Sequence, residues 1–499
     1  MKASTVPMFK TGISRQSLSS CMHLFLLSAV LVCLPGRAEA QLSEPITSII
    51  EESAGADAFW SVIVTDSSGV MVEQYNESKL IRPASVHKLM TSAAILHLLG
   101  PDYRYRTTLY GRGDQQGNVW RGDLLIRGSG DPTINDDFYS DPLFLFEKWA
   151  RLFESLGITR IDGNIVGNES FFDDVPYPRG WEWDDLSYYY GVETNALSFN
   201  KNVVNLEVLT DGEVGSAPEI RWFPFNTPFV SFVNEQVITP PEASYDESYR
   251  RVMGTNTIIL RSSLPQGYYE TEPLSVTRPS LYFIDTFRQY LEQRGIRVTG
   301  TLVVDRRSRS WGSGEYRVLD VHESVPLYEL LRENNQNSNN FYSEMLLKTV
   351  AAETYSTEGS TELGLEAVSR FLHSAGLDTS AVRMRDASGM SPANLVRASD
   401  LNHLLFELKS MDHFDRYRNS LAVAGNSGTL QYRFRNSPVR GNFQGKTGFL
   451  SGVRTISGYL KARSDQEVIV TIVTNNHTAE TGVIDRLHQR ILEVIYSLY

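Results

Sequence analysis

Cysteine is almost absent from the 499-residue sequence, and its two occurrences, Cys21 and Cys33, both lie in the first forty residues. If that segment is removed, the mature chain has no thiol, which excludes a cysteine nucleophile, a structural disulfide and a thiolate metal site. The nine histidines include no His-Glu-x-x-His sequence and no close pair with ligand spacing. We therefore expect neither a metal nor another cofactor.

Positive charge is also scarce. The 47 lysines and arginines are outnumbered by 59 acidic residues, which gives a formal net charge of −12. A chain with this balance lacks the basic surface that neutralises phosphates, so we expect no nucleic acid partner.

Long apolar runs are rare, and residues 1–40 have the form of a cleaved signal peptide. Basic residues come first, a short apolar run covers residues 24–34, and Ala38-Glu39-Ala40 is a small-residue cleavage site. The run is far shorter than the roughly 20 residues that span a bilayer. We expect an exported mature chain that starts at Gln41 and has no transmembrane segment.

The two ends of the chain share a pattern that the middle lacks. Strand patterns at 60–64 and 70–75 precede an apolar helix pattern at 85–99, and helical periodicity returns at 327–352 before strands and a last helix. The middle has short alternating segments, many turns and one clear helix near 281–293. We predict an α/β domain from residues 41–102 and 321–499, interrupted by a β-rich insertion at 103–320, of one or more domains.

Ser85-Val86-His87-Lys88 opens the buried helix and is a candidate nucleophile site. Residues three apart on a helix share a face, and a lysine in a dry site has a lowered pKa and can act as a base. His87 points about 100° away, and we interpret it as a packing or rim residue. The same pattern at Ser198 and Lys201 runs into a strand, whose alternation places the two side chains on opposite faces, so we discard it.

Two further segments carry polar chemistry. Ser338-Asn339-Asn340 leads into a helix, and helix capping is an equally simple explanation for it. Lys446-Thr447-Gly448 precedes the terminal strand pair. A lysine, a hydroxyl and a glycine on one strand can hold a carboxylate, while backbone amides beside them serve an oxyanion.

The order Ser-x-x-Lys, Ser-x-Asn, Lys-Thr-Gly is the motif set of β-lactamases and penicillin-binding proteins. The span between Ser85 and Ser338 exceeds that of a class A β-lactamase. The sequence resembles the low-molecular-mass class C penicillin-binding proteins, which are D-alanyl-D-alanine carboxypeptidases and endopeptidases with domains inserted between the first two motifs. Further runs that carry this resemblance are residues 128–133, 181–185, 195–200, 386–391, 423–425 and 428–430.

The resemblance implies a fold and a role for each motif residue. The fold is β-lactamase/transpeptidase-like, an antiparallel sheet with flanking helices. Ser85 is the nucleophile, Lys88 takes its proton, and Ser338 relays a proton to the leaving amine. The residues implied to bind substrate are Asn340, Lys446, Thr447, Gly448 and Phe449, and the backbone N–H groups of Ser85 and Phe449 form the oxyanion hole.

The implied substrates are peptidoglycan stem peptides, the implied inhibitors are β-lactams, and the implied location is the periplasm or cell envelope. Phe449 departs from the family, which usually has a hydroxyl residue there, so a side chain that would contact the substrate carboxylate is missing. The alternative function is that of an impaired envelope protein that binds peptidoglycan as a scaffold.

Overall fold

The computed structural model describes residues 42–51, 54–307 and 315–499. The predicted signal peptide at 1–40 lies outside the described residues. In the described part of the chain, no helix has both the length and the apolar sequence that crossing a bilayer requires.

The α-helices of the described residues are α1 Glu44–Glu51, α2 Lys88–Leu99, α3 Phe144–Ser155, α4 Pro279–Gln293, α5 Leu327–Asn337, α6 Asn340–Tyr355, α7 Thr361–Ser374, α8 Ala398–Leu408, α9 Phe414–Asn419 and α10 Thr481–Leu498.

The strands of the described residues are β1 Phe59–Thr65, β2 Met71–Tyr75, β3 Leu80–Ile81, β4 Arg106–Gln116, β5 Val119–Arg127, β6 Arg160–Asp162, β7 Ile165–Asn168, β8 Val203–Leu209, β9 Glu219–Phe223, β10 Ser231–Asn234, β11 Val237–Thr239, β12 Tyr249–Arg251, β13 Thr257–Leu260, β14 Ser263–Pro265, β15 Tyr269–Ser275, β16 Arg297–Val298, β17 Leu302–Asp305, β18 Arg317–Glu323, β19 Val396–Arg397, β20 Ala422–Val423, β21 Phe443–Leu450, β22 Val453–Lys461 and β23 Glu467–Asn475.

A six-stranded sheet joins the two ends of the chain. Its order is β2-β1-β23-β22-β21-β20, and every neighbouring pair is antiparallel. Successive side chains of a strand face opposite sides, and β23 is apolar on both. Val470 and Ile472 pack in the cluster that contains α1 and α10, whereas Ile469 and Val473 pack in the cluster that contains α2 and α5 to α8. Helices therefore cover both faces, and the predicted antiparallel sheet with flanking helices is confirmed.

The middle of the chain builds a second group of sheets. The largest is mixed: β4 is antiparallel to β5 and β18, whereas β6 and β7 are parallel to β5. Smaller sheets are β15-β8-β9, β10-β13-β12 and β11-β14. A hydrophobic cluster of its own holds these strands with α3 and α4. The predicted boundary at 320/321 falls within β18, and the division into domains stays a prediction.

Two features differ from the sequence-based expectation. The middle segment contains α3 as well as α4, because Leu145, Phe146, Trp149 and Phe153 form one buried stripe on a helix. The helical pattern at 327–352 is interrupted at Ser338, whose φ of +61° is in the left-handed region, so that α5 ends and α6 begins there.

Candidate active site

Ser85 lies on a short 3₁₀ turn, Ala84–His87, that leads directly into α2. The side chain of Lys88, the first residue of α2, is completely buried beneath this turn. Its Nζ lies 3.3 Å from Ser85 Oγ, 2.8 Å from Asn340 Oδ1 and 2.7 Å from the carbonyl oxygen of Ser388. The serine and the amine are therefore within reach of proton transfer.

Burial lowers the pKa of Lys88 to about 7, against the opposing effect of Asp386 and, in its ionised form, of Glu344. A neutral amine has two N–H bonds and one lone pair. The oxygens of Asn340 and Ser388 accept the two N–H bonds, and the lone pair is left for the hydroxyl of Ser85. In this arrangement the lysine has the geometry and the pKa that a base for that hydroxyl needs at neutral pH.

Ser338 and Asn340 enter the site from the break between α5 and α6. The side chain of Asn339 accepts a hydrogen bond from the backbone N–H of Tyr342 and caps α6. Capping thus falls to Asn339, while Asn340 Oδ1 faces Lys88 and Asn340 Nδ2 donates to the Tyr190 carbonyl at 3.1 Å. Asn340 orients the lysine and ties this helix end to the middle segment.

Lys446 lies on β21 and is fully buried. Its Nζ donates to Ser338 Oγ at 2.7 Å and to the Thr447 carbonyl at 2.9 Å. Burial, with the charges of Lys88 and Arg454, lowers its pKa well below the ordinary value of a lysine. The site therefore contains two Ser–Lys pairs, Ser85 with Lys88 and Ser338 with Lys446.

Gly448 lets β21 approach the nucleophile turn. A Cβ at this position would lie 2.8 Å from the carbonyl oxygen of Pro83 and 2.9 Å from the backbone N of Ser85. Both neighbours are backbone atoms that have no room to move aside. Only glycine permits the strand to pass this close to Ser85.

The side chains of Thr447 and Phe449 differ in exposure. Thr447 Oγ1 donates to Thr429 Oγ1 at 2.8 Å, so Thr429, which sequence motifs did not assign to the site, lies beside it. Phe449 is 56% exposed, and the Arg454 guanidinium lies 5.4 Å from the centre of its ring. The exposed ring of Phe449 therefore occupies the position at which the resemblance leads us to expect a hydroxyl side chain.

Two buried acids near Lys88, Glu344 and Asp386, are not part of the three sequence motifs. Burial, then the charge of Asp386, raises the pKa of Glu344 to about 8. Glu344 accepts hydrogen bonds from the backbone N–H groups of Ala387 and Ser388. Only the family resemblance of residues 386–391 pointed to this loop. The atom of the loop that bonds to Lys88 is the backbone carbonyl oxygen of Ser388, which no side-chain pattern reveals.

The discarded sequence patterns have structural roles. Ser198 Oγ donates to the Asn195 carbonyl, and Lys201 pairs with Asp136 and Asp137. His87 is buried, and its Nε2 donates to the Asp386 carbonyl at 3.1 Å, so it is a packing residue as interpreted.

A group of three carboxylates in the described residues, Glu247, Glu270 and Glu272, is close enough to share a cation. Both oxygens of Glu270 already accept hydrogen bonds, from Tyr245 and Tyr249, at 2.6 Å each. Burial and the neighbouring carboxylates raise the pKa of Glu272 to about 7. Hydroxyl donors and a proton satisfy this group, and we assign no cation to it.

Comparison with known proteins gives matches over most of the chain. The sequence model described as "D-Ala-D-Ala carboxypeptidase 3 (S13) family" matches residues 42–490. A D-alanyl-D-alanine carboxypeptidase of an Actinomadura species is 29% identical over 496 residues, covering 95% of this chain and 88% of the relative.

Solved structures match in fold. Penicillin binding protein 4 of Haemophilus influenzae superimposes with a TM-score of 0.79 at 22% identity, covering 91% of this chain and 99% of the other. The same protein in complex with a β-lactam gives a TM-score of 0.74 at 20% identity, with coverage of 91% and 100%.

Proposed function

The chain belongs to the D-Ala-D-Ala carboxypeptidase 3 (S13) family, and with that as the premise we propose that its peptidase activity resides in the two Ser–Lys pairs, with Ser85 as the nucleophile. The chain is a serine DD-peptidase, and the class that its sequence motifs predict is confirmed. The roles of the individual residues are the proposal. It depends above all on the 3.3 Å contact between Ser85 Oγ and a Lys88 amine whose pKa is about 7.

In the first step, Ser85 Oγ attacks the carbonyl carbon of the terminal D-alanyl-D-alanine amide, and its proton passes to Lys88 Nζ. The carbonyl π electrons move to the oxygen, which the backbone N–H groups of Ser85 and Phe449 receive. The close approach of β21 supports this, because a Cβ added at Gly448 would lie 2.9 Å from Ser85 N. Hydrogen-bond donors fixed around a developing oxyanion lower the barrier.

In the second step, the oxygen lone pair re-forms the carbonyl, and the bond to the leaving nitrogen breaks. Ser338 Oγ gives its proton to that nitrogen and regains one from Lys446, its donor at 2.7 Å. The acyl group stays on Ser85 as an ester. Once the amine has left, the proton that Lys88 took from Ser85 passes through solvent to Lys446, so that both amines return to their starting states. Lys88 then takes a proton from water as the water oxygen attacks the ester carbonyl, and it gives that proton to Ser85 Oγ as the ester bond breaks.

The substrate is proposed to be a peptidoglycan stem peptide, with its terminal carboxylate at Thr447 and Lys446 and its scissile amide beside Asn340. β-Lactams, which present an amide carbonyl and a carboxylate at a similar separation, acylate Ser85 by the same first step. The exposed Phe449 favours substrates with an apolar or extended group at the mouth. We propose that the chain acts in the periplasm or cell envelope after removal of residues 1–40.

The test is covalent labelling of the mature protein, Gln41 to Tyr499, with a fluorescent penicillin. We expect label on wild type and none on Ser85→Ala, with the modified peptide identified by mass spectrometry. The matched control is Ser198→Ala, which removes the serine of the other Ser-x-x-Lys sequence and keeps full labelling. Folded wild-type protein without label would favour the scaffold function, with Phe449 as its cause.

A further inference from the structure

The loop 386–389 contacts Lys88 through the Ser388 carbonyl and also carries the buried carboxylate of Asp386. The carboxylate of Asp386 is completely buried and accepts four hydrogen bonds. Oδ1 accepts from the backbone N–H of Gly389 at 2.9 Å and from Asn394 Nδ2 at 2.7 Å. Oδ2 accepts from the backbone N–H of Ser391 at 2.6 Å and from the Trp181 indole N–H at 2.9 Å.

One peptide group bonds to both the carboxylate and the lysine. The Gly389 N–H points at Asp386, and the Ser388 carbonyl of the same peptide accepts from Lys88 Nζ at 2.7 Å. A peptide whose N–H meets an anion is polarised, so its carbonyl oxygen becomes a stronger acceptor. The effect is greatest where water is excluded, and Lys88 and Asp386 are both fully buried.

We propose that Asp386 is a positioning residue that acts on Lys88 through the peptide group between Ser388 and Gly389, and that Trp181 ties this relay to the inserted segment. The proposal rests on the function proposed for Ser85 and Lys88. Because Trp181 belongs to residues 103–320, the proposal connects the insertion to Lys88 indirectly, through Asp386 and the 388–389 peptide group.

Glycine at 389 is required for this geometry. Its φ is +84°, and a Cβ there would lie 2.0 Å from the carbonyl oxygen of Ala84, next to the nucleophile. The peptide group that bonds to Lys88 is therefore pressed against the turn that carries Ser85. The anion, the peptide, the amine and the hydroxyl form one hydrogen-bonded chain.

The effect of the Asp386 charge on the pKa of Lys88 has to be distinguished from the effects of the other groups that face this lysine. These groups are Glu344 from α6, His87 from the nucleophile turn and Lys446 from β21. Glu344 is the informative one. Its pKa of about 8 means that it carries a proton at neutral pH. Glu344→Gln therefore resembles the existing state, whereas Asp386→Asn removes a negative charge.

The measurement is the second-order rate constant for penicillin acylation from pH 5 to 9. An anion near an ammonium raises its pKa, so removing the anion lowers it. For Asp386→Asn we expect the midpoint of the acidic limb to move down by about one pH unit, with a lower plateau. Glu344→Gln keeps the wild-type midpoint. A purely structural role of Asp386 would lower the plateau and leave the midpoint in place.

An unchanged midpoint in folded Asp386→Asn overturns the proposal, and so does an equal shift in Glu344→Gln, which would mean that the midpoint moves without the loss of a negative charge at Asp386. If Asp386→Asn does not fold, Trp181→Phe decides. We expect it to slow acylation about tenfold, because one hydrogen bond to a charged group is lost. Its control, Trp222→Phe, loses an indole bond of 3.0 Å to the Thr227 carbonyl and acylates like wild type. Equal rates in the two variants overturn the proposal.

The Ser85→Ala labelling experiment separates the two levels. If Ser85→Ala still takes label, the proposed function fails. If its label is lost while Asp386→Asn, or Trp181→Phe in its place, behaves like wild type, only the relay through the 388–389 peptide fails.

Discussion

The amine of Lys446 lies 2.7 Å from the hydroxyl of Ser338, although the two residues are 108 positions apart and belong to a strand and to a helix break. The contact mirrors that between Lys88 and Ser85. Each amine is buried and has a lowered pKa.

Lys446→Ala should slow acylation by about 10²-fold or more, the contribution of a positioned proton donor or acceptor. Ser338 would lose the amine that orients its hydroxyl by a hydrogen bond and returns a proton to it. The check is the acylation rate with a fluorescent penicillin. Lys461→Ala, at an exposed lysine paired with Asp465, is the control and should acylate like wild type. A normal rate in Lys446→Ala would remove this lysine from the mechanism.

The acylation rate of the wild type should fall below about pH 7. Burial sets the pKa of Lys88 near 7, the neutral amine is the base, and protonation below that pH removes it. The rate should therefore rise with pH and level off above the midpoint. A profile that falls as pH rises through 7 would contradict the assignment of Lys88 as the base.

Gly448→Ala should abolish most acylation and cost about 1–3 kcal/mol of stability, because the new methyl group is forced against backbone atoms of the nucleophile turn. The variant is checked by acylation rate and thermal unfolding. Gly482→Ala is the matched control in α10, where a Cβ would meet the end of the Arg486 side chain at an ordinary contact distance of 3.5 Å, and it should retain both activity and stability. Full activity in Gly448→Ala would show that the strand tolerates a wider gap.

Phe449→Thr should increase turnover of peptides that end in D-alanyl-D-alanine by about tenfold, since a hydroxyl near a carboxylate adds one charge-assisted hydrogen bond. The side chain is 56% exposed, so the melting temperature should change little. The measurement compares release of D-alanine with acylation by penicillin. Unchanged release would show that the missing hydroxyl does not limit the reaction.

The reach of the sequence analysis differed from element to element. Ser85 and Lys88 are three apart, and local helix geometry brings them together. The contact of Lys446 with Ser338 was expected only from the order of the motifs. α3 carried a visible apolar stripe that the β-rich character of its surroundings obscured. At the break, Ser338-Asn339-Asn340 indicated a helix start, but helical periodicity continues on both sides and gave no sign that another helix ends there.

The groups around Lys88 and Thr447 that the three motifs do not include are recognisable only in the folded chain. The Ser388 carbonyl holds Lys88, and no side-chain pattern identifies a carbonyl. Asp386 and Glu344 look like ordinary surface acids in a sequence that has many of them, and only the fold buries them. Thr429 lies on a short 3₁₀ turn, Gly428–Leu430, that packs beside Thr447 on β21. Long-range pairing decides these contacts, and a single sequence does not state it.

The sheet order has a consequence for how the chain folds. β1 and β23 pair from Phe59 with Asn475 to Thr65 with Ile469, so the first strand waits for the last. Contacts between segments so distant in sequence are slow to form, because the chain between them must be ordered first. A chain that has emerged only as far as Ser338 therefore carries both serines without Lys446, and it gains activity only after β21 to β23 have joined the sheet.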